Sequence, residues 1–336
     1  MGRIRIGIVL LVSGLIGFAP RPAHAIELRN DTVAAYNRYL AAAERRIASE
    51  TQNGPFLLID SWTGTRREEA YAELHRGAIL AQPVNTLENG RPIVVPHGLI
   101  HDWAGVLFVP DVSLAQTLAV VQDYRRYQDF FKPDIRDSRV VRHSDDNYIV
   151  AMQLYRKSIV TVAINAQFEV HYARVGPHRE TVRSCATRLA EVEDVGQPRA
   201  REDSPGQGPG YLWRLCDFWR FEERDGGVYI QLESIDLSRS VPGIVAWIVD
   251  PLLRTIPRGT VTDLLGALRK AVVDQTERSQ LFYPAEDPLP DAPLAVTSAR
   301  RDEANDPSSR EAVSTARSQA RARSAIGSRT SATHPV

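Results

Sequence analysis

The chain has 336 residues, room for about two average domains at ~100–200 residues each. Lys+Arg and Asp+Glu both number 41, which excludes a strongly basic nucleic-acid binder and an acidic disordered chain. That zero sums unlike parts: residues 1–25 carry three Arg and no acid, residues 296–336 seven Arg against four acids, and residues 26–295 hold 31 basic and 37 acidic side chains. With 43% hydrophobic residues and five Trp in the chain, the middle can bury a core, so a disordered or fibrous class is excluded for it.

Arg3 and Arg5 precede the apolar run Ile6 to Phe18, and Ala23-His24-Ala25 supplies small residues at the positions a signal peptidase accepts. Export with cleavage after Ala25 is expected. A retained membrane anchor is disfavoured, because the run falls short of the ~20 residues that span a bilayer and Pro20 and Pro22 end it. No Cys lies near the cleavage site for a lipid anchor. The mature chain, at about −3, is expected in the periplasm or outside the cell. Cys185 and Cys216 are the two cysteines. They permit one disulfide, two separate buried thiols being the alternative, and alone they make no zinc site.

Asn30 or Asp31 can cap a helix running to about Ser49, with Val33, Tyr36, Tyr39, Leu40, Ala43 and Ile47 on one face. Such an amphipathic helix needs a partner surface. A second helix is expected from Thr65 to about Arg76, with Arg66, Arg67, Glu68, Glu69 and Glu73 on its wet side. Asn89-Gly90 predicts a tight turn between Val84–Leu87 and Ile93–Val95. His97, His101 and Asp102 suggest a metal, but Pro96 and Gly98 oppose a helix there and no third convergent ligand is identifiable, so no metal is assigned.

A short strand follows at Gly105–Val109, then a helix capped by Asp111 or Ser113 and carrying Leu114, Leu118, Val121 and Tyr124. Six strand-like runs come next, at Ile135–His143, Tyr148–Tyr155, Ile159–Tyr172, Glu180–Val192, Tyr211–Glu222 and Val228–Leu237. In the third, Val160, Val162, Ile164, Ala166, Phe168 and Val170 share a dry face, and Thr161, Asn165, Gln167, Glu169 and His171 a wet one. A long helix is predicted from Gly243 to Gln275, built on Ile244, Trp247, Ile248, Leu252, Leu264, Leu265 and Leu268, with Pro251 and Pro257 expected to kink or interrupt it.

A seven-stranded antiparallel sheet with a wet outer face must cover its inner face, and this helix is the long apolar one available. The order of elements resembles the START-like (SRPBCC, helix-grip) superfamily, which includes coenzyme-Q-binding proteins and polyketide cyclases. The resemblance spans about residues 103–275. It is carried by Val109-Pro110-Asp111-Val112-Ser113 with Val121-Gln122-Asp123-Tyr124, and by Ile235-Asp236-Leu237 leading through Pro242-Gly243 and Trp247 to Ile256-Pro257-Arg258. It implies an α+β helix-grip fold, a curved seven-stranded sheet around the C-terminal helix, here with an N-terminal helical extension. Residues 26–102 form that extension, 103–280 the START-like domain and 281–336 a disordered tail.

The resemblance implies a cavity between sheet and helix for an apolar small molecule or lipid, such as a quinone or polyketide. Apolar strand faces opposite an apolar helix also describe a filled core. Strand parity names the lining: Val162, Ile164 and Phe168; Trp213, Asp217, Trp219 and Phe221; Arg188; and Ile244, Trp247 and Ile248 from the helix. Arg188 and Asp217 would be inward charges on neighbouring strands, pairing with each other or orienting a polar head group, unless either lies at the rim and reaches water. The same parity places Cys185 and Cys216 together on the outer face, within disulfide reach. Glu233 faces outward if Asp225-Gly226 forms a two-residue turn, and inward if Gly227 bulges.

No nucleophile elbow, Walker loop, dinucleotide fingerprint or metalloprotease motif is present, so no cofactor is implied. A binding or carrier role is the primary expectation. The alternatives are a START-like cyclase, dehydratase or hydrolase using Asp217, Arg188 or Glu233, and a non-catalytic interaction scaffold using the N-terminal helices. The tail beyond about Pro284 has few large apolar residues and cannot fold alone. Its spread Arg residues allow at most transient contact with an anionic membrane surface, and nucleic acid is not an expected partner.

Overall fold

The computed structural model describes residues 27–157, 161–240 and 243–282, the side chains of 243–257 and 280–282 excepted. The expected leader (1–25), the tail beyond residue 282 and Val160 lie outside the described residues. In chain order come α1 (Asn30–Asn53), a 3-10 turn (Leu58–Ser61), α2 (Gly64–His75), β1 (Leu80–Pro83), β2 (Leu87–Glu88), β3 (Arg91–Pro92) and β4 (Gly98–Pro110). Then follow α3 (Leu114–Val121), a second 3-10 turn (Tyr124–Arg126), α4 (Tyr127–Phe130), β5 (Ile135–Ser144), β6 (Asn147–Lys157), β7 (Thr161–Gly176) and β8 (Arg179–Glu193). The series closes with β9 (Arg201–Glu202), β10 (Arg214–Arg224), β11 (Gly227–Arg239) and α5 (Gly243–Phe282).

Local chemistry accounts for these boundaries. Ser113 caps α3: its Oγ accepts from the Gln116 amide at 3.2 Å, and the Gln116 side chain accepts from the Ser113 amide at 2.8 Å. Asn89-Gly90 and Asp225-Gly226 take positive φ at both positions (50° and 75°, 56° and 76°), the geometry that two-residue hairpin turns require. The first closes a small hairpin of β2 and β3, shorter than the predicted one. The second sets Phe221 opposite Ile230 and Phe218 opposite Glu233. The α5 backbone is assigned as helix through Pro251 and Pro257, without the expected interruption.

The sheet is antiparallel throughout, in the order β1-β4-β11-β10-β8-β7-β6-β5, with β9 paired to the end of β8. This is the α+β helix-grip arrangement with two differences from the sequence expectation. The main path has eight strands rather than seven, because Leu80–Pro83 adds β1 to the edge of β4. The outer face is not wet across the sheet.

The inner face packs against α5 and α3. Leu107, Val109, Phe221, Val228 and Ile230 meet Val261, Leu265, Leu268 and Val272 in one buried cluster with Leu114 and Leu118. Gly105 lets the helix seat: a Cβ there would lie 2.6 Å from Val261 Cγ1 and 2.7 Å from Leu265 Cδ1. On the outer face, Tyr36, Tyr39 and Ala43 of α1 cover Cys216, Phe218, Ile235 and Leu237. Phe56, Leu57, Ile59 and Leu74 cover Val106, Phe108 and Tyr229. Central strands covered on both faces lose their polar alternation, and β11 is buried or half-buried at every position. The apolar stripe of α1 found its partner surface on the strands whose outer face was expected to be wet.

Candidate functional site

The inner face divides along its strands. At one end, the rung Leu107–Ile230–Phe221 is 0% exposed at all three residues, sealed by α3 and the second half of α5. Beyond Gly105 the face is half-open. Trp103, Ser234 and Asp217 form the next inward rung, and His101, Asp236 and Leu215 the one after. All six are half-buried, as are Met152, Leu154, Val162, Ser184 and Ala186 on the strands alongside. Arg126 beside α3 donates to Gln275 at 3.0 Å, so the second half of α5 lies at the sealed end.

These two open rungs concentrate polar chemistry in apolar surroundings. Asp217 stands between Ser184 on β8 and Ser234 on β11, and the Ser234 hydroxyl donates to its Oδ1 at 2.6 Å. Burial raises the Asp217 carboxyl to about 6, with Ser234 opposing. Burial raises Asp236 to about 8, helped by the negative charge of Asp217. Burial alone lowers His101 to about 4, and its Nε2 lies 3.3 Å from the Ser238 hydroxyl. Neither carboxylate has a basic partner within ion-pair distance among the described residues. Near neutral pH the site therefore holds one ionised and one protonated carboxyl, beside a neutral imidazole and two indoles, Trp103 and Trp219.

The predicted lining residues fall into four groups. Val162, Asp217 and Trp219 present surface to the open half, whereas Phe221 and Phe168 belong to the sealed core and Ile164 is 3% exposed. Ile244, Trp247 and Ile248 lie in α5, with side chains outside the described residues. Arg188 is turned to the outer face. Gln167 pairs with Arg188 but Phe168 with Ala186, so one extra residue in β8 inverts the parity beyond it. Its guanidinium meets Glu202 rather than Asp217. Trp213 also faces outward, packed with Tyr36 and Phe218, because the ladder of β10 starts only at Arg214 and strand parity does not reach back to it.

Asp236, Ser234, Ser238 and His101 were not singled out as inner-face residues from the sequence. The signal was present for Asp236, since the Asp225-Gly226 turn that points Glu233 outward also places Asp236 opposite Leu215. His101 and Asp102, read together as a metal motif, point to opposite faces of β4. Asp102 goes outward, where it accepts from Tyr39 at 2.9 Å and Thr86 at 3.2 Å. Cys185 and Cys216 face each other in register on the outer face and are joined by a disulfide.

A separate cleft of about 550 Å³ opens between Phe131–Asp134, the end of β6 and Thr262–Ala267. Its Arg156 is paired with Asp134 at 3.1 Å and Asp263 at 2.7 Å. Among the described residues, no helix is long and apolar enough to cross a membrane.

No family model and no curated protein sequence matches the chain. Among solved structures, it is similar to a STAR-related lipid transfer protein from Xanthomonas axonopodis, at 14% identity over 57% of this chain and 98% of that one, with a TM-score of 0.38. It is similar to human STARD10 at 9% identity over 67% and 85%, with a TM-score of 0.40. It is also similar to an aromatase/cyclase from Streptomyces at 13% identity over 52% and 94%, with a TM-score of 0.33. At such identities and scores these likenesses add nothing to the account of the site, which rests on strand order, register and burial.

Proposed function

We propose that this chain is an exported binding or carrier protein for an apolar ligand, a lipid, quinone or similar molecule. The ligand sits between the inner sheet face and α5, with its polar end at Asp217, Ser234, Asp236 and His101. The division of the inner face supports this. A filled core would bury Trp103, Leu215 and Trp219 as completely as Leu107, Phe221 and Ile230. An apolar hollow with a few convergent polar groups is the usual form of a small-molecule site. The START-like order of elements in the sequence supports the same reading. The disulfide supports export, since such bonds persist in oxidising compartments.

Titration of the full chain, stripped of bound lipid by organic extraction and refolding, with a fluorescent fatty acid tests this reading. Saturable binding at one site per chain is expected, and it is lost in Ser184→Phe, which fills the open half while the chain still melts cooperatively. Absence of saturable uptake in the parent chain would overturn it.

One observation favours catalysis: Ser238, His101 and Asp236 stand on adjacent inward positions. The electrostatics weigh against it, because a triad needs an ionised acid orienting its histidine. Asp236 stays protonated near neutral pH, and burial alone acts on His101. Glu233 and Arg188, the other acid-base candidates, engage Arg46 and Glu202 on the outer face. Turnover of an added polyketide or ester, lost in Asp217→Asn, would favour the enzyme.

A further inference from the structure

The bulge that removes Arg188 from the inner face delivers it to a second site. A groove of about 420 Å³ lies on the outer side between the start of α1, the end of β8 and the loop before β10, and its walls include Asn30, Thr187, Arg188, Gln207, Trp213 and Arg214. Arg214 is half-buried. Its guanidinium donates to the Trp213 carbonyl at 2.7 Å and has no carboxylate partner among the described residues. Burial lowers its pKa, as expected of a cation whose charge is left uncompensated. Trp213 is 3% exposed, and its indole Nε1–H is buried without a hydrogen-bond partner. A donor left in this state costs about 1–3 kcal/mol.

The groove is built rather than incidental. Glu191 accepts from the amides of Gly210 at 3.0 Å, Tyr211 at 2.5 Å and Leu212 at 3.1 Å, fixing the chain that leads into Trp213. The Leu28 amide donates to the Gly206 carbonyl at 2.9 Å, closing the other wall. The first turn of α1 lines the groove at Asn30 and Val33, and its Thr32 amide is satisfied within that turn by Asp31 Oδ1 at 2.9 Å. Several acids are nearby, of which Glu191 is engaged by the three loop amides and Asp31 by Arg29 at 3.3 Å. Glu27 is exposed at the rim, and Glu202 is engaged by Arg188 and by Asn165 at 2.6 Å.

We propose that this groove binds a small oxyanion, a carboxylate or phosphate group, through Arg214 and Arg188, with the buried Trp213 indole in its wall. The planar guanidinium fork matches a group presenting two oxygens. Its Arg188 and Arg214 are on the outer face of the sheet, opposite the carboxyls of the apolar-ligand site, while Ala186 of the inner face also reaches its lining.

The test uses the full chain with ¹⁵N-labelled tryptophan, titrated with inorganic phosphate and, separately, acetate, against chloride at matched ionic strength. One indole N–H resonance, identified as Trp213 by its absence in Trp213→Phe, is expected to move saturably with at least one of the two anions, which identifies the group. In Arg214→Gln the apparent dissociation constant should rise about tenfold or more, the loss of one charge-assisted hydrogen bond. Arg188→Gln should weaken binding by a smaller factor. The proposal is overturned if the resonance ignores both anions, or moves equally in chloride, or if Arg214→Gln binds as the parent does. Should Arg214→Gln fail to fold, the exposed Arg188 decides, and unchanged affinity in Arg188→Gln contradicts the assignment.

Discussion

Asp236 sits where a carboxylate is least comfortable, on an apolar face with a second carboxylate one rung away. Its pKa rises from 3.8 to about 8, and that of Asp217 from 3.8 to about 6. Between these limits the folded chain holds more protons than the unfolded one, so stability falls as pH rises through the window. His101, lowered from 6.5 to about 4, acts oppositely: unfolding takes up a proton between those values, so its share of stability grows as pH rises to 6.5. Of these three groups, Asp236 is the one still titrating above pH 7. Asp236→Asn should therefore stabilise the chain at pH 9 by on the order of a few kcal/mol relative to the parent, with a much smaller effect at pH 5. Urea unfolding at the two pH values measures this, and equal effects at both would contradict the burial argument. At this scale parity in the sequence found Asp217 and Trp219 because their strand is regular. It lost Arg188 because the bulge at Thr187 has no glycine or other residue signature, only a register shift against β7.

At the scale of elements, α1 is tied to the sheet by charge as well as by apolar contact. Arg220, 1% exposed, donates to Glu50 at 2.6 Å and to the Phe56 carbonyl at 2.8 Å. Arg46 bridges Glu50 at 3.1 Å and the buried Glu233. Removing one partner of such a pair leaves an uncompensated buried charge. Glu50→Ala should cost roughly 3 kcal/mol in urea unfolding, and Glu50→Gln less, because an amide oxygen can still accept from Arg220. A loss below ~1 kcal/mol for Glu50→Ala would mean that water already solvates Arg220. The helix itself was legible from its apolar spacing, but its docking surface was not. Arg214, Cys216, Phe218 and Arg220 alternate along β10, and a buried, paired arginine looks in sequence like one facing water. Strand order and the C-terminal helix were readable because turn signals and period-2 alternation agree over six consecutive runs.

For the whole molecule, the balanced charge resolves into a sheet covered on both sides at its centre, with different consequences on each side. The outer cover, α1 and α2, packs closely and engages buried charges, leaving the oxyanion groove at one end. Among the described residues, the inner cover is tight where Val261 and Leu265 meet Gly105 and beyond, and the face with the two carboxyls is half-open. The N-terminal extension reads as a structural cover for the sheet rather than a separate module, and the sequence concealed this because the cover and its target lie far apart in the chain. Native mass spectrometry of the full chain purified without detergent shows whether the inner face holds an apolar molecule. A population carrying one apolar molecule per chain is expected, released by organic solvent and restored by adding the extract back. A single ligand-free mass, unchanged on adding back lipid or extract, would contradict it.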